Sequence, residues 1–251
     1  MNTQSISSPL VIHPAKAALL AQIRSLEAQI ARLEEEKVGC QYLVDQYYRL
    51  FRLQLSDLLL QVAELQMRLA YQRASQTGRR SDSEEAQTWQ ERFDQTNRII
   101  QEAIAHQPAH LDETAEQELK RLFRQAVTIA HPDRNINDPD RTAQATAFMV
   151  RLNDAYKRRD LVAVRQLLQD LNDGHLLANQ SEMNLAVDTL QQWCERLLDR
   201  QASLQSEIIK LKVEEPYRLM TIQTDLVLHF STLRQRMQQQ IDSLQLQLHP
   251  S

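Results

Sequence analysis

Residues 14–51 read PAKAALLAQIRSLEAQIARLEEEKVGCQYLVDQYYRLF, and the spacing of their apolar side chains sets the fold class. Leu19, Ile23, Leu26, Ile30 and Leu33 step by four and three. The phase runs on through Lys37, Cys40, Val44, Tyr47 and Phe51, slips by one four-residue step, and resumes at Leu55, Leu58, Val62, Leu65 and Leu69. Steps of 4-3-4-3 average 3.5 residues, the coiled-coil period, and the extra step is the signature of a stutter. A helix from Pro14 to about Ala74 would be about 90 Å long at 1.5 Å per residue, so it needs a partner helix.

The partner is expected at the other end of the chain. Met183, Val187, Leu190, Cys194, Leu197, Gln201, Leu204, Ile208 and Leu211 keep the same phase, and after Pro216 it returns at Leu226, Phe230, Leu233, Met237, Ile241, Leu244 and Leu248. Pro216 either kinks one helix or turns a hairpin. The economical arrangement is all-α, with two long antiparallel coiled-coil helices flanking a small helical insert; a parallel homodimer is the alternative. The divisions are a tail at 1–13, a coiled-coil helix at 14–75, a linker with a short helix at 76–110, a helical domain at 111–172, and a C-terminal coil at 178–249 broken near Pro216. Gly78 marks the first break, and Ser81 with Glu84 resembles a capping box.

Composition agrees. The 251 residues include only 3 Gly and 7 Pro, too few turn residues for an all-β fold, and 32 Gln. Mean hydropathy is −0.51, which suits long helices with much exposed surface. No apolar run reaches the length of a membrane span, and residues 1–9 lack the pattern of a secretory signal. Cys40 and Cys194 stand far apart, which suits a reducing cytoplasm and gives no metal site. A net charge of −4 argues against nucleic-acid binding by the whole chain.

Within the insert, Leu119–Asn135 reads LKRLFRQAVTIAHPDRN. Leu119, Leu122, Phe123, Ala126 and Ala130 share one face of a helix over about 112–130. Lys120, Arg121 and Arg124 occupy the others, and no acidic residue occurs from Lys120 to Pro132. The helix is a basic patch on an acidic chain. Pro132 then fixes its own φ and keeps His131 out of the helical region, so His131 and Asp133 stand on a stiff corner. Further helices are expected over 140–158 and 161–171.

This stretch resembles the J-domain of DnaJ-type co-chaperones. Leu119, Phe123, Arg124 and Ala126–Val127 fit the family's second helix, His131-Pro132-Asp133 its invariant loop, and Met149, Leu152, Asn153, Ala155 and Tyr156 its third helix. The resemblance runs from Leu111 to Leu171. It implies a protein without catalytic activity or cofactor of its own, which docks on a DnaK-type chaperone and stimulates its ATP hydrolysis. Lys120, Arg121, Arg124 and Arg134 would be docking cations, and His131, Pro132 and Asp133 the trigger. The coils would bind a client or join two chains. The sequence departs from the family in several places. No YxxLGV motif precedes residue 111, where either the Trp89–Ile104 helix is the stand-in or the J-domain is truncated; Ala130 and Gln125 replace a common aromatic and arginine; and no Gly/Phe-rich or four-CxxC segment exists. The alternative is a coiled-coil scaffold or assembly factor with a degenerate J-domain.

Other patterns are set aside. Asp133-x-Asn135-x-Asn137 starts like a calcium loop, but Asp138 replaces its glycine and Gln144 its final glutamate. His106 and His110 have zinc-like spacing with Pro108 between them and no further ligand. A hydrolase using His131 and Asp133 is disfavoured because the intervening proline should point the two side chains apart. Trp89 and Trp193 read as packing residues, and Tyr47, Tyr48 and Phe51 as coil core or a widening in it, with an exposed aromatic patch that binds a client or partner as the alternative.

Overall fold

A computed structural model describes residues 14–105, 111–134, 138–172, 186–222 and 226–249. Among these residues every regular element is helical: α1 (Pro14–Thr77), α2 (Arg80–Ala105), α3 (Glu113–Ala130), a 3-10 turn (Pro132–Arg134), α4 (Pro139–Lys157), α5 (Leu161–Asn172), α6 (Val187–Val213), α7 (Glu215–Thr221) and α8 (Leu226–Leu248). The fold is all-α. Two units partition the chain, one of Met1–Gly39 with Ala109–Leu211 and the other of Cys40–Pro108 with Lys212–Ser251.

In the first unit the centre of the expected stripe of α1 forms a dry seam with α6, with Leu20 buried where the stripe has Leu19, and Leu19 and Leu33 only partly buried. Leu20, Ile23, Leu26 and Ile30 bury against Leu190, Cys194, Leu197 and Leu204. Burial pushes the Cys194 thiol up, with Glu195 adding to it, so this cysteine behaves as a small hydrophobe. The direction of pairing corrects the antiparallel expectation. Gln201 bonds Gln29 at 2.8 Å, Arg200 pairs with Glu34 at 2.6 Å, and Lys37 with Glu207 at 2.6 Å. From Gln29–Gln201 to Lys37–Glu207 both chain numbers rise, with Glu34–Arg200 at a similar offset, so the two helices run parallel. Antiparallel pairing is the economy of helices joined by a short loop. Here α2–α5 intervene, and that constraint does not apply.

The second core of this unit belongs to α3, α4 and α5. Leu119, Leu122, Phe123 and Ala126 of α3 meet Phe148, Leu152 and Tyr156 of α4 and Val164, Leu167 and Leu171 of α5. The Phe123 and Tyr156 rings lie 4.5 Å apart. Each helix starts on an aspartate that accepts a backbone N–H: Asp112 from Ala115 at 2.7 Å, Asp138 from Arg141 at 3.1 Å, and Asp160 from Ala163 at 2.9 Å. Satisfying an orphan amide in this way fixes where a helix begins. Between α4 and α5, Arg159 adopts φ 58°, a left-handed conformation unusual for a side-chain-bearing residue. Its guanidinium is held by Glu116 of α3 at 2.5 Å and lies 5.5 Å from the centre of the Tyr156 ring. The Glu116–Arg159 pair joins the start of α3 to the end of α4, so these helices are antiparallel.

α1 carries a second buried face that its apolar phase does not announce. Glu27, Ala31, Glu34 and Val38 are buried, with spacings of four, three and four. Ala31 and Val38 join the α3–α5 core. The helix against this core is therefore α1, whereas the Trp89–Ile104 segment, the stand-in on sequence order, belongs to the other unit.

In the second unit, Leu55, Leu58 and Leu65 of α1 pack on Ile241 of α8, with Phe51, Phe230 and Met237 partly buried beside them. Tyr47 stacks with Phe51 and Phe230, and its hydroxyl lies 2.8 Å from His229 Nε2. Arg234 pairs with Asp57 at 2.9 Å, and Gln72 donates to the Leu248 carbonyl at 3.5 Å. The numbers again rise together, so α8 also runs parallel to α1. α1 stops at Gly78, whose φ of 62° closes the helix with a 3.0 Å bond from its N–H to the Ala74 carbonyl. α2 starts at Arg80, so Ser81 lies inside the helix rather than capping it. The turn is instead tied by the Thr77 hydroxyl, which bonds Asp82 and accepts from the Arg79 N–H. Pro216 lies in the first turn of α7, a separate short helix that starts after Glu214, whose carbonyl accepts the Arg218 N–H and whose side chain makes no capping bond.

Candidate functional site

The corner after α3 forms as its sequence dictates. Ala130 is the last helical residue, and His131, preceding a proline, turns to extended backbone at φ −60°, ψ 130°. Pro132–Arg134 make one 3-10 turn. The Asp133 N–H donates to His131 Nδ1 at 3.3 Å, and Asp133 Oδ2 lies 3.4 Å from the same nitrogen. Proline therefore brings the imidazole and carboxylate together, contrary to the expectation that it points them apart. The tight turn after Pro132 folds Asp133 back over the ring.

His131 is only 6% exposed. Its Nε2 faces Glu34 of α1, with Oε1 at 3.8 Å. Glu34 is also held by Arg200 of α6 at 2.6 Å, and Arg200 lies 3.7 Å from Glu207, which pairs with Lys37. A charged chain thus runs from α1 through α6 to the corner. Burial works to raise the Glu34 carboxyl. Its bond to His131, then the charge and bond of Arg200 and the charge of Lys37, outweigh that and hold it below the ordinary value. Beside His131 a cavity of about 10 Å³, lined by Glu27, Ile30, Val127, Thr128, His131 and Leu197, has room for about one water.

The predicted cations divide. Lys120 lies 3.6 Å from Glu116 of its own helix. Arg124 reaches across to Glu35 of α1 at 3.3 Å, and its Nε donates to the Lys120 carbonyl. Glu35 in turn accepts from the Tyr156 hydroxyl at 3.4 Å, a hydroxyl that burial pushes up strongly. Arg121 is exposed, and its charge helps Arg165 hold the Glu118 carboxyl low. Pro132 and Asp133 are half-buried. The Arg134 side chain, Asn135, Asn137, His106 and His110 lie outside the described side chains. Among the described residues no cluster of three or more metal-ligating side chains occurs.

Glu34, Glu35 and Arg200 are the residues that sequence reasoning missed. The first two sit in the run Glu34-Glu35-Glu36, which reads as the wet side of a coil. The available signal was the seven-residue spacing of Glu27 and Glu34 with Ala31 and Val38 in phase, a stripe too polar to be recognised as buried. No protein-family model, no curated protein and no solved structure matches the chain.

Proposed function

We propose that this protein is a J-domain-type co-chaperone, docking on a DnaK-type chaperone and stimulating its ATP hydrolysis without bond chemistry of its own. The observation that carries the reading is the His131-Pro132-Asp133 corner, built as one rigid turn at the end of a helix free of acidic residues from Lys120 onward. A pre-formed corner loses little entropy on binding, and flanking cations set orientation and on-rate. An activator needs only a higher affinity for one state of its partner. Lys120, Arg121, Arg124 and Arg134 are the proposed docking cations, and α3–α5 the proposed J-domain. The helices α1, α6 and α8, as coiled coils, would carry a client or a second copy.

A second reading, a scaffold whose J-domain no longer engages an ATPase, is favoured by the burial of His131. Single-turnover ATP hydrolysis by a DnaK-type chaperone separates the two. Stimulation by the wild-type chain that is lost in His131→Gln supports the first. Absence of stimulation by any form of the chain supports the second.

A further inference from the structure

We infer that Glu34 and Glu35 of α1, backed by Arg200 of α6, form an intramolecular clasp that keeps the docking face of α3 closed until the α3–α5 module lifts from α1. This rests on the co-chaperone reading for its consequence and on the geometry for its existence. His131 and Glu34 are 6% and 3% exposed, so no partner can read the imidazole in this conformation. Glu35 pairs with Arg124, a second member of the same proposed docking face. The contact is electrostatically a substitute. A basic helix that seeks an acidic surface finds one in its own chain, in the run Glu34-Glu35-Glu36.

The clasp is built to open. The α3–α5 core is made almost wholly of its own residues, and α1 contributes only two small buried apolar side chains to it, Ala31 and Val38. Lifting the module therefore exposes little apolar surface and leaves its internal packing intact, the condition for a sub-global opening rather than unfolding. What holds it is mostly polar: Glu34 on His131, and Glu35 on Arg124 and Tyr156. A partner that needs the open form binds with an affinity reduced by the fraction open, so weakening the clasp raises apparent affinity without altering any docking residue.

The test uses the full chain, wild type and Glu34→Gln/Glu35→Gln. Diethyl pyrocarbonate labelling at pH 8, where an ordinary imidazole is neutral, is followed by peptide mass at His131 and at the exposed His249 as internal reference. The expected result is slow labelling of His131 in the wild type and a rate roughly tenfold higher in the variant, with a similar rise in stimulation of a DnaK-type ATPase at limiting concentration. Labelling of His131 as fast as His249 in the wild type, or unchanged in the variant, overturns the clasp, as does faster labelling with unchanged, non-zero stimulation. Labelling that responds with no stimulation in either form overturns the co-chaperone reading and leaves the contact standing. Should the variant lose its helical circular dichroism, Glu35→Gln alone, which leaves the buried Glu34 in place and releases Arg124 and Tyr156, is read in the same assays with the same outcomes.

Discussion

Glu34 concentrates more of the chain's chemistry than any residue of the corner itself. Its carboxylate is buried and faces His131 and Arg200 together. A carboxyl held below its ordinary 4.5 contributes stability that is fully present above that value and is lost as pH falls through the lower folded one. Wild-type protein should therefore lose more Tm than Glu34→Gln between pH 6 and pH 3, read by circular dichroism at matched ionic strength. At neutral pH, Arg200→Met should cost about 1–3 kcal/mol in a denaturant titration, because it leaves Glu34 buried without its nearest cation. A cost near zero would mean that solvent reaches the pair. Gly78 poses a simpler problem. A Cβ there meets nothing within 4 Å, so Gly78→Ala pays only for its left-handed backbone, about 1 kcal/mol.

At the scale of elements, α3 was the most legible. Its apolar face, basic flanks and stop at Ala130 follow from spacing and from the proline two residues on. Its start was readable too, since Asp112 is a ready acceptor for the Ala115 amide. Phe123→Ala should cost about 3–5 kcal/mol, given its full burial against Tyr156, and should melt α3–α5 in hydrogen exchange before the second unit responds. The left-handed Arg159 was not legible. Its backbone closes α4 through bonds from the Arg159 N–H to the Tyr156 carbonyl and from the Asp160 N–H to the Ala155 carbonyl, a stop where glycine is usual, and its guanidinium is held by Glu116, 43 residues earlier in the chain. The second face of α1 escaped for a related reason. A buried glutamate is sustained by partners distant in sequence, and periodicity records hydrophobicity without recording who pairs with whom.

For the whole molecule, the decisive quantity is strand direction among the helices. Gln29 beside Gln201 and Asp57 beside Arg234 make each pairing parallel. With Cys40 and Cys194 replaced by serine, cysteine pairs at 29/201 and at 57/234 should each be joined within one chain by a short bismaleimide at high dilution. Crosslinks that appear only between chains would instead indicate a dimer of like helices. No described helix is long and apolar enough to cross a membrane.

The sequence by itself determined that the chain is helical, most of the apolar stripe that α1, α6 and α8 turn inward, where α3, α4 and α5 begin and end, and that a histidine and an aspartate flank a rigid corner. These follow from local rules: 3.5- and 3.6-residue periods, capping aspartates and the geometry of proline. Tertiary structure alone decided that α6 and α8 run parallel to α1, that α1 rather than the Trp89–Ile104 helix backs the α3–α5 core, and that His131 turns inward onto Glu34. The physical reason is the same in each case. A heptad pattern is nearly unchanged when read backwards, so it carries little information on direction. Charge pairing between Glu34, Arg200 and His131 joins residues nearly a hundred or more positions apart, and no local period encodes it.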